Sequence, residues 1–234
     1  MVVLFNAFFL SKIMPHQNMS IENPENSSPS YSQDWCARDL ELINHVEVFQ
    51  HKPAILKKVE NRLIKLKEAM VEELVSCAPQ LPPGTDIEKG QIARGENNNG
   101  FPFLSLDIPQ NFSKTTMFTY RTLFWWGHYL GFSLILKGDK LKTYFQLLSA
   151  VRNEPALQNV YLSLAPTPWE WRLEDEFSSL VSKLSEQEWS DKINLLDHMK
   201  IMRVYSIAGE SFKELDWTQA GINFWRDMTP ISLG

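Results

Sequence analysis

The sequence predicts an α+β fold: a mainly antiparallel sheet of about four to five strands, with a long N-terminal amphipathic helix and C-terminal helices packed on it. Three observations carry that expectation. Residues 116–136 hold large apolar residues at a period of two, in two runs that meet at Gly127-His128. Residues 54–77 repeat apolar residues at spacings of three and four. Strand-like runs come in a block instead of alternating one for one with helices, which disfavours a doubly wound parallel sheet.

Residues 1–14 are apolar, but their only basic residue, Lys12, follows the apolar run. A secretory signal places its basic residues first and ends on a small-residue cleavage site, and neither feature is present. The run is also shorter than the roughly 20 residues that cross a bilayer, so no membrane span is expected. Residues 15–33 are rich in Pro, Ser and Asn, and their few aliphatic groups do not offset the entropy of ordering them. Residues 1–33 therefore read as a flexible leader and linker. Residues 34–234 read as a single globular domain.

Trp35, Leu40 and Ile43 give that domain an imperfect first helical face, and Pro53 suits the first turn of a second helix. Leu56, Val59, Leu63, Leu66, Met70, Leu74 and Cys77 then form one stripe, with Lys57, Lys58, Lys65 and Lys67 outside it. Such a stripe either packs on a sheet or pairs with a second copy as a homodimer. Only about three heptads without a sustained charge pattern favour the sheet. Pro79, Pro82 and Pro83 end the helix.

A short strand is read at 90–94, turn chemistry at 95–100, and a strand at 101–108 with Leu104, Leu106 and Ile108 inward. Pro102 and Pro109 lack amide donors, which points to an edge strand or strand ends. In the hairpin, Phe118, Tyr120, Phe124 and Trp126 share one face, as do Leu130, Phe132, Leu134 and Leu136.

Gly138-Asp139 closes the hairpin and caps a helix with Leu141, Tyr144, Phe145, Leu148 and Val151 inward. A strand follows at 159–165. After Pro166 and Pro168, residues 169–184 read as helical. Ser185 to Glu188 is a capping box that opens another helix. Residues 199–208 form the last strand, and Asp216 caps a final helix that carries Trp217, Ala220, Phe224 and Met228.

The net charge of −5 and pI of about 5.6 argue against a general nucleic-acid binder, which needs a basic surface. The two cysteines, Cys36 and Cys77, are far apart and in no metal-type spacing, as expected of a reduced cytoplasmic protein with no metal site. No His is followed by Glu in an H-E-x-x-H helix, and no nucleophile elbow, phosphate loop or dinucleotide fingerprint occurs. No cofactor is implied.

The remaining candidates are side chains on and beside the hairpin. His128 sits at the turn, and imidazole is the side chain suited to moving protons near neutrality. Arg121 and Arg203 are cations inside strands, a placement that clamps carboxylates or phosphates when it does not simply face solvent. Trp125 and Trp126 must point to opposite faces, so one of them marks a binding surface unless both faces are covered. Glu170, Glu174, Asp175 and Glu176 fit the first turn of a helix. Two functional readings follow. The first is a non-catalytic module with an aromatic-lined groove for a partner protein or small ligand. The second is an enzyme of unknown reaction class that uses His128 with Arg121 and Arg203 on an anionic substrate.

Overall fold

A computed structural model describes residues 34–234. The leader and linker read over residues 1–33 lie outside the described residues. The chain divides into two units, of which the described residues are 34–46 in the first and Glu47–Gly234 in the second. In the first, helix α1 (Ala37–Ile43) opens with the Cys36 amide donating to the Asp39 carboxylate at 2.9 Å, and it buries no residue.

Helix α2 (Val46–Val75) leads into the second unit and continues past Pro53, which the sequence places in a first turn. Proline leaves the carbonyl four residues back without a donor. Here that carbonyl belongs to Phe49, an exposed residue, so water can take the bond. The stripe Leu56, Val59, Leu63, Leu66, Met70 and Leu74 is buried as the spacing requires. Leu66 has 0% exposure, so a second copy reaches this stripe only if the core opens.

The sheet has seven strands, not four to five. They are β1 (Gln91–Asn98), β2 (Phe101–Phe112), β3 (Met117–Trp125), β4 (Tyr129–Lys137), β5 (Tyr161–Ser163), β6 (Ser178–Leu180) and β7 (Met199–Ser206). Their order is β1-β2-β3-β4-β7-β5-β6, and every neighbouring pair is antiparallel. The aromatic hairpin β3–β4 is therefore internal, with β2 on one side and β7 on the other. Its bend is a turn in which the His128 amide donates to the Trp125 carbonyl at 3.1 Å. Gly127 takes φ +77° at the third position of that turn, a conformation that favours glycine.

Strand β2 is not at the edge. Pro109 falls in the register shift between Asp107 and Gln110, and Pro102 lies opposite the shift between Gly95 and Asn98. Both prolines sit where the ladder is already interrupted, so their missing amides cost little.

Alternation gives the sheet two faces. One carries Phe118, Tyr120, Phe124, Leu130, Phe132 and Leu134 into a core shared with α2, α3 (Leu141–Val151) and α5 (Trp217–Ser232). The Ser185 capping box opens α4 (Glu186–Ile193), and Asp216 caps α5 by accepting from the Gln219 amide at 3.0 Å. Asp139 does not cap α3; the residue at that N-terminus is Lys140, and no side chain closes it.

Gly221 lets α5 approach the sheet. A Cβ there would stand 2.7 Å from Leu66 Cδ1 and 3.0 Å from Phe132 Cε1, and the Tyr120 hydroxyl donates to the Gly221 carbonyl at 2.6 Å. Gly221→Val is expected to lower folding stability by about 1–3 kcal/mol through overpacking. An unchanged urea midpoint would show that the contact is slack.

The other face carries Leu123, Trp125, Tyr129, Ile135 and Met202, and it is covered by Trp171 from the segment between β5 and β6. The sequence predicts a helix for residues 169–184 of that segment and beyond it. These residues hold no α-helix: residues 170–173 are irregular, then come a turn, β6 and a single 3-10 turn at Val181–Lys183. The cause is nonlocal. The Lys200 ammonium takes the Pro168 carbonyl at 3.0 Å and the Glu170 carbonyl, both of which a helix would have used for its own bonds. No helix among the described residues is long and apolar enough to cross a membrane.

Candidate functional site

The bend of the hairpin builds the site. The tight turn lays the His128 ring flat on Trp125, with centroids 3.7 Å apart and planes 17° apart. Phe101, at the start of β2, meets the same imidazole edge-on at 4.8 Å. The Nε2 of His128 is buried and has no hydrogen-bond partner. Tyr129 stands edge-on to Trp125 at 5.6 Å.

These rings wall a cavity of about 530 Å³, completed by Asn99, Gly127, Arg172, Leu173, Glu174, Val204 and Ser206. Its size falls in the range of small-ligand pockets. Two ring donors of the lining are already bonded to the backbone: Trp125 Nε1 donates to the Asn98 carbonyl at 3.0 Å, and the Tyr129 hydroxyl to the Trp171 carbonyl. Burial, and after it the charges of Glu170 and Glu174, push the Tyr129 phenol well above its ordinary pKa.

The lip carries the acidic residues that the sequence assigned to a helix start. Glu170 accepts a two-pronged bond from Arg172, at 3.0 Å to Nε and 2.7 Å to Nη2, and that guanidinium holds Glu170 down at about 2. Arg172 also lies over the Phe177 ring at 4.1 Å. Glu174, Asp175 and Glu176 are exposed and lie in a turn, not a helix.

Trp125 and Trp126 do point apart, and both have company. Trp125 is 2% exposed in the cluster under Trp171, while half-buried Trp126 sits in the turn itself and packs against the helical core. Arg121 shares the face of Trp125. Its Nε and Nη2 each lie 2.7 Å from a carboxylate oxygen of Asp107, and its guanidinium carbon stands 4.6 Å from the Trp169 ring centre. Arg203 projects from the opposite face of the sheet, since it pairs across β4 with Phe132 whereas Arg121 pairs with Ser133. Arg203 Nη2 donates to Asp227 at 3.0 Å and to the Ala156 carbonyl at 2.6 Å, at the edge of a second, more polar cavity. The structure thus brings His128 and Trp125 together and separates Arg121 from Arg203.

Lys200 escaped the sequence reading. Strand alternation turns it away from Met199 and Ile201, which suggests a solvated lysine. Instead it is 0% exposed beneath the covering segment, with its Nζ 4.2 Å from the Trp171 ring centre. Burial lowers its pKa to about 7, Glu170 opposes that shift, and Arg121 adds to it. Among the described residues, no group of three or more His, Cys, Asp or Glu is placed to hold a metal ion. No family model, no curated protein and no solved structure matches the chain.

Proposed function

We propose that this chain is a non-catalytic binding module that takes a small ligand in the aromatic cavity at the bend of its hairpin. The observation that carries this reading is His128, a cavity-lining residue clamped between two rings with an orphaned, buried ring nitrogen. A buried polar atom without a partner costs about 1–3 kcal/mol. A ligand that draws the His128 ring off Trp125 and satisfies the nitrogen recovers that cost on binding. A reaction run jointly by His128, Arg121 and Arg203 would need one point within reach of all three, and the sheet stands between the two guanidiniums.

Saturation-transfer NMR with a library of small ring compounds tests the reading. Hits that compete with one another on the full chain, and are lost in His128→Ala and Phe101→Ala, are the expected result. Hits that bind both variants as well as the parent chain, or an empty screen, would overturn it.

A further inference from the structure

A smaller cavity, of about 230 Å³, lies against the first turn of α3, where Lys137, Asp139, Lys140 and Tyr144 line it. A helix begins with amides that have no carbonyl to bond, and a side-chain acceptor at the N-cap ordinarily takes one of them. In α3 that position is Lys140, which has only donors to offer. The amides of Asp139, Lys140, Lys142 and Thr143 make no hydrogen bond among the described residues. The dipole of this 11-residue helix favours an acid in the first turn, and none is there. Lysines are there instead. Residues 137–142 set Lys137, Lys140 and Lys142 against Asp139, in a chain whose net charge is −5. Among the described residues only Lys137 of these four has an ion pair, with Asp197 at 2.6 Å.

Tyr144 is an independent sign of a ligand. It is 6% exposed, and its hydroxyl has no partner in the chain. A side chain one turn into a helix leans back toward the N-terminus, and that lean lays Tyr144 on the cavity wall. Burial raises its pKa, so the phenol keeps its proton and stands as a donor. The other polar groups of the lining are engaged: the Asn111 side chain donates to the Pro83 carbonyl at 3.0 Å, and the Thr116 hydroxyl pairs with that of Ser113 at 2.6 Å. Asp139 is the one carboxylate of the lining, and it is exposed and able to turn to water. What the site lacks is an acceptor with negative charge. A phosphoryl group brings three strong acceptor oxygens, one more than a carboxylate has, and helix N-termini suit it. Pro82 and Met117 add an apolar wall against which an organic body would rest.

We infer that the cavity beside the first turn of α3 binds a phosphoryl group, with the Tyr144 hydroxyl and the unbonded amides as donors and Lys140 as counter-charge. The site is separate from the cavity at the hairpin bend and does not depend on the binding-module reading. The same group is presented by inorganic phosphate and by an organic phosphomonoester.

Amide NMR of the isotope-labelled full chain tests this, with inorganic phosphate added at constant ionic strength and about pH 8, where the group is dianionic. Saturable shifts of the Lys140, Lys142 and Thr143 amides are the expected result. Tyr144→Phe keeps the ring and removes the donor, so it is expected to weaken binding about tenfold, while its spectrum reports an intact fold. Lys140→Gln, at an exposed site, is expected to weaken binding about twofold to fivefold. Phenyl phosphate that binds more tightly than inorganic phosphate assigns the site to a phosphomonoester, and the reverse order assigns it to the free ion. Acetate that binds as tightly as phosphate overturns the phosphoryl class. Shifts that rise without saturating, that fall on other residues, or that persist at equal affinity in Tyr144→Phe mark an adventitious ion only and overturn the site.

Discussion

Asp107→Asn is expected to cost about 3–5 kcal/mol of folding stability, close to the whole margin of a weakly stable domain. The reason is the guanidinium left behind. Asp107 is 2% exposed and meets both Nε and Nη2 of Arg121 at 2.7 Å, while its Oδ1 also accepts from the Thr119 hydroxyl at 3.2 Å. The Arg121 side chain is 16% exposed, so water screens little of the charge that the substitution leaves without a partner. An amide keeps the shape and removes the counter-charge. The double variant Asp107→Leu with Arg121→Met is expected to regain most of the loss, because apolar isosteres remove both desolvation costs together. Urea denaturation of the two proteins measures this directly. A midpoint for Asp107→Asn within about 0.5 kcal/mol of the parent would mean that the pair is effectively solvated. A double variant no better than the single one would mean that the loss came from packing and not from the stranded charge.

This pair also shows what the sequence alone hides about Arg121. A cation inside a strand looks free when its partner is unknown, and Asp107 becomes that partner only through the β2–β3 register. The same division runs through the whole chain. The hairpin, the α2 stripe, the Ser185 capping box and the Asp216 cap were legible because each depends on residues within a turn or two of one another. The segment at 169–184 was not legible. Its apolar spacing suits a helix, but its carbonyls are claimed by a lysine that lies later in the sequence, on β7. Pro102 and Pro109 suggest an edge strand or strand ends for a related reason: Pro102 does lie at the start of β2, but a bulge such as the one at Pro109 is a relation between two strands and leaves no mark in either one. At the site, the glycine bend placed His128 at the turn, and alternation sent Trp125 away from the helical core. The stacking of their rings, and the lip contributed by Arg172 and Glu174, depend on elements that meet only in three dimensions.

Raising the pH from 7 to 9 is expected to stabilise the fold by about 2 kcal/mol through Lys200 alone, and Lys200→Met is expected to remove that rise. The sign follows from where the proton sits. Burial holds the folded lysine at about 7 against an ordinary value of 10.5, so between those limits the unfolded chain binds a proton that the folded chain has released. Stability then climbs with pH across that window. Below pH 7 both states carry the proton, the slope from this residue vanishes, and the full cost of a buried ammonium, about 5 kcal/mol, is in force. The groups that face it fit this account. Glu170 turns its backbone carbonyl to the amine while its carboxylate answers Arg172, and Arg121 on β3 adds a like charge. His198, two residues earlier on the same side, has its pKa lowered chiefly by burial, so its own contribution falls away below about pH 6.5, outside the window. Cys77, whose pKa burial raises, opposes the rise from about pH 8, and Tyr144 does so from about pH 9; the Met variant carries both unchanged. The difference between parent and variant in urea denaturation at pH 7, 8 and 9 therefore isolates the lysine. Parallel pH profiles would mean that Lys200 keeps its proton in the folded state throughout. A carboxylate would then have to reach its Nζ, and the covering segment would be held to the sheet by an ion pair instead of by two carbonyls.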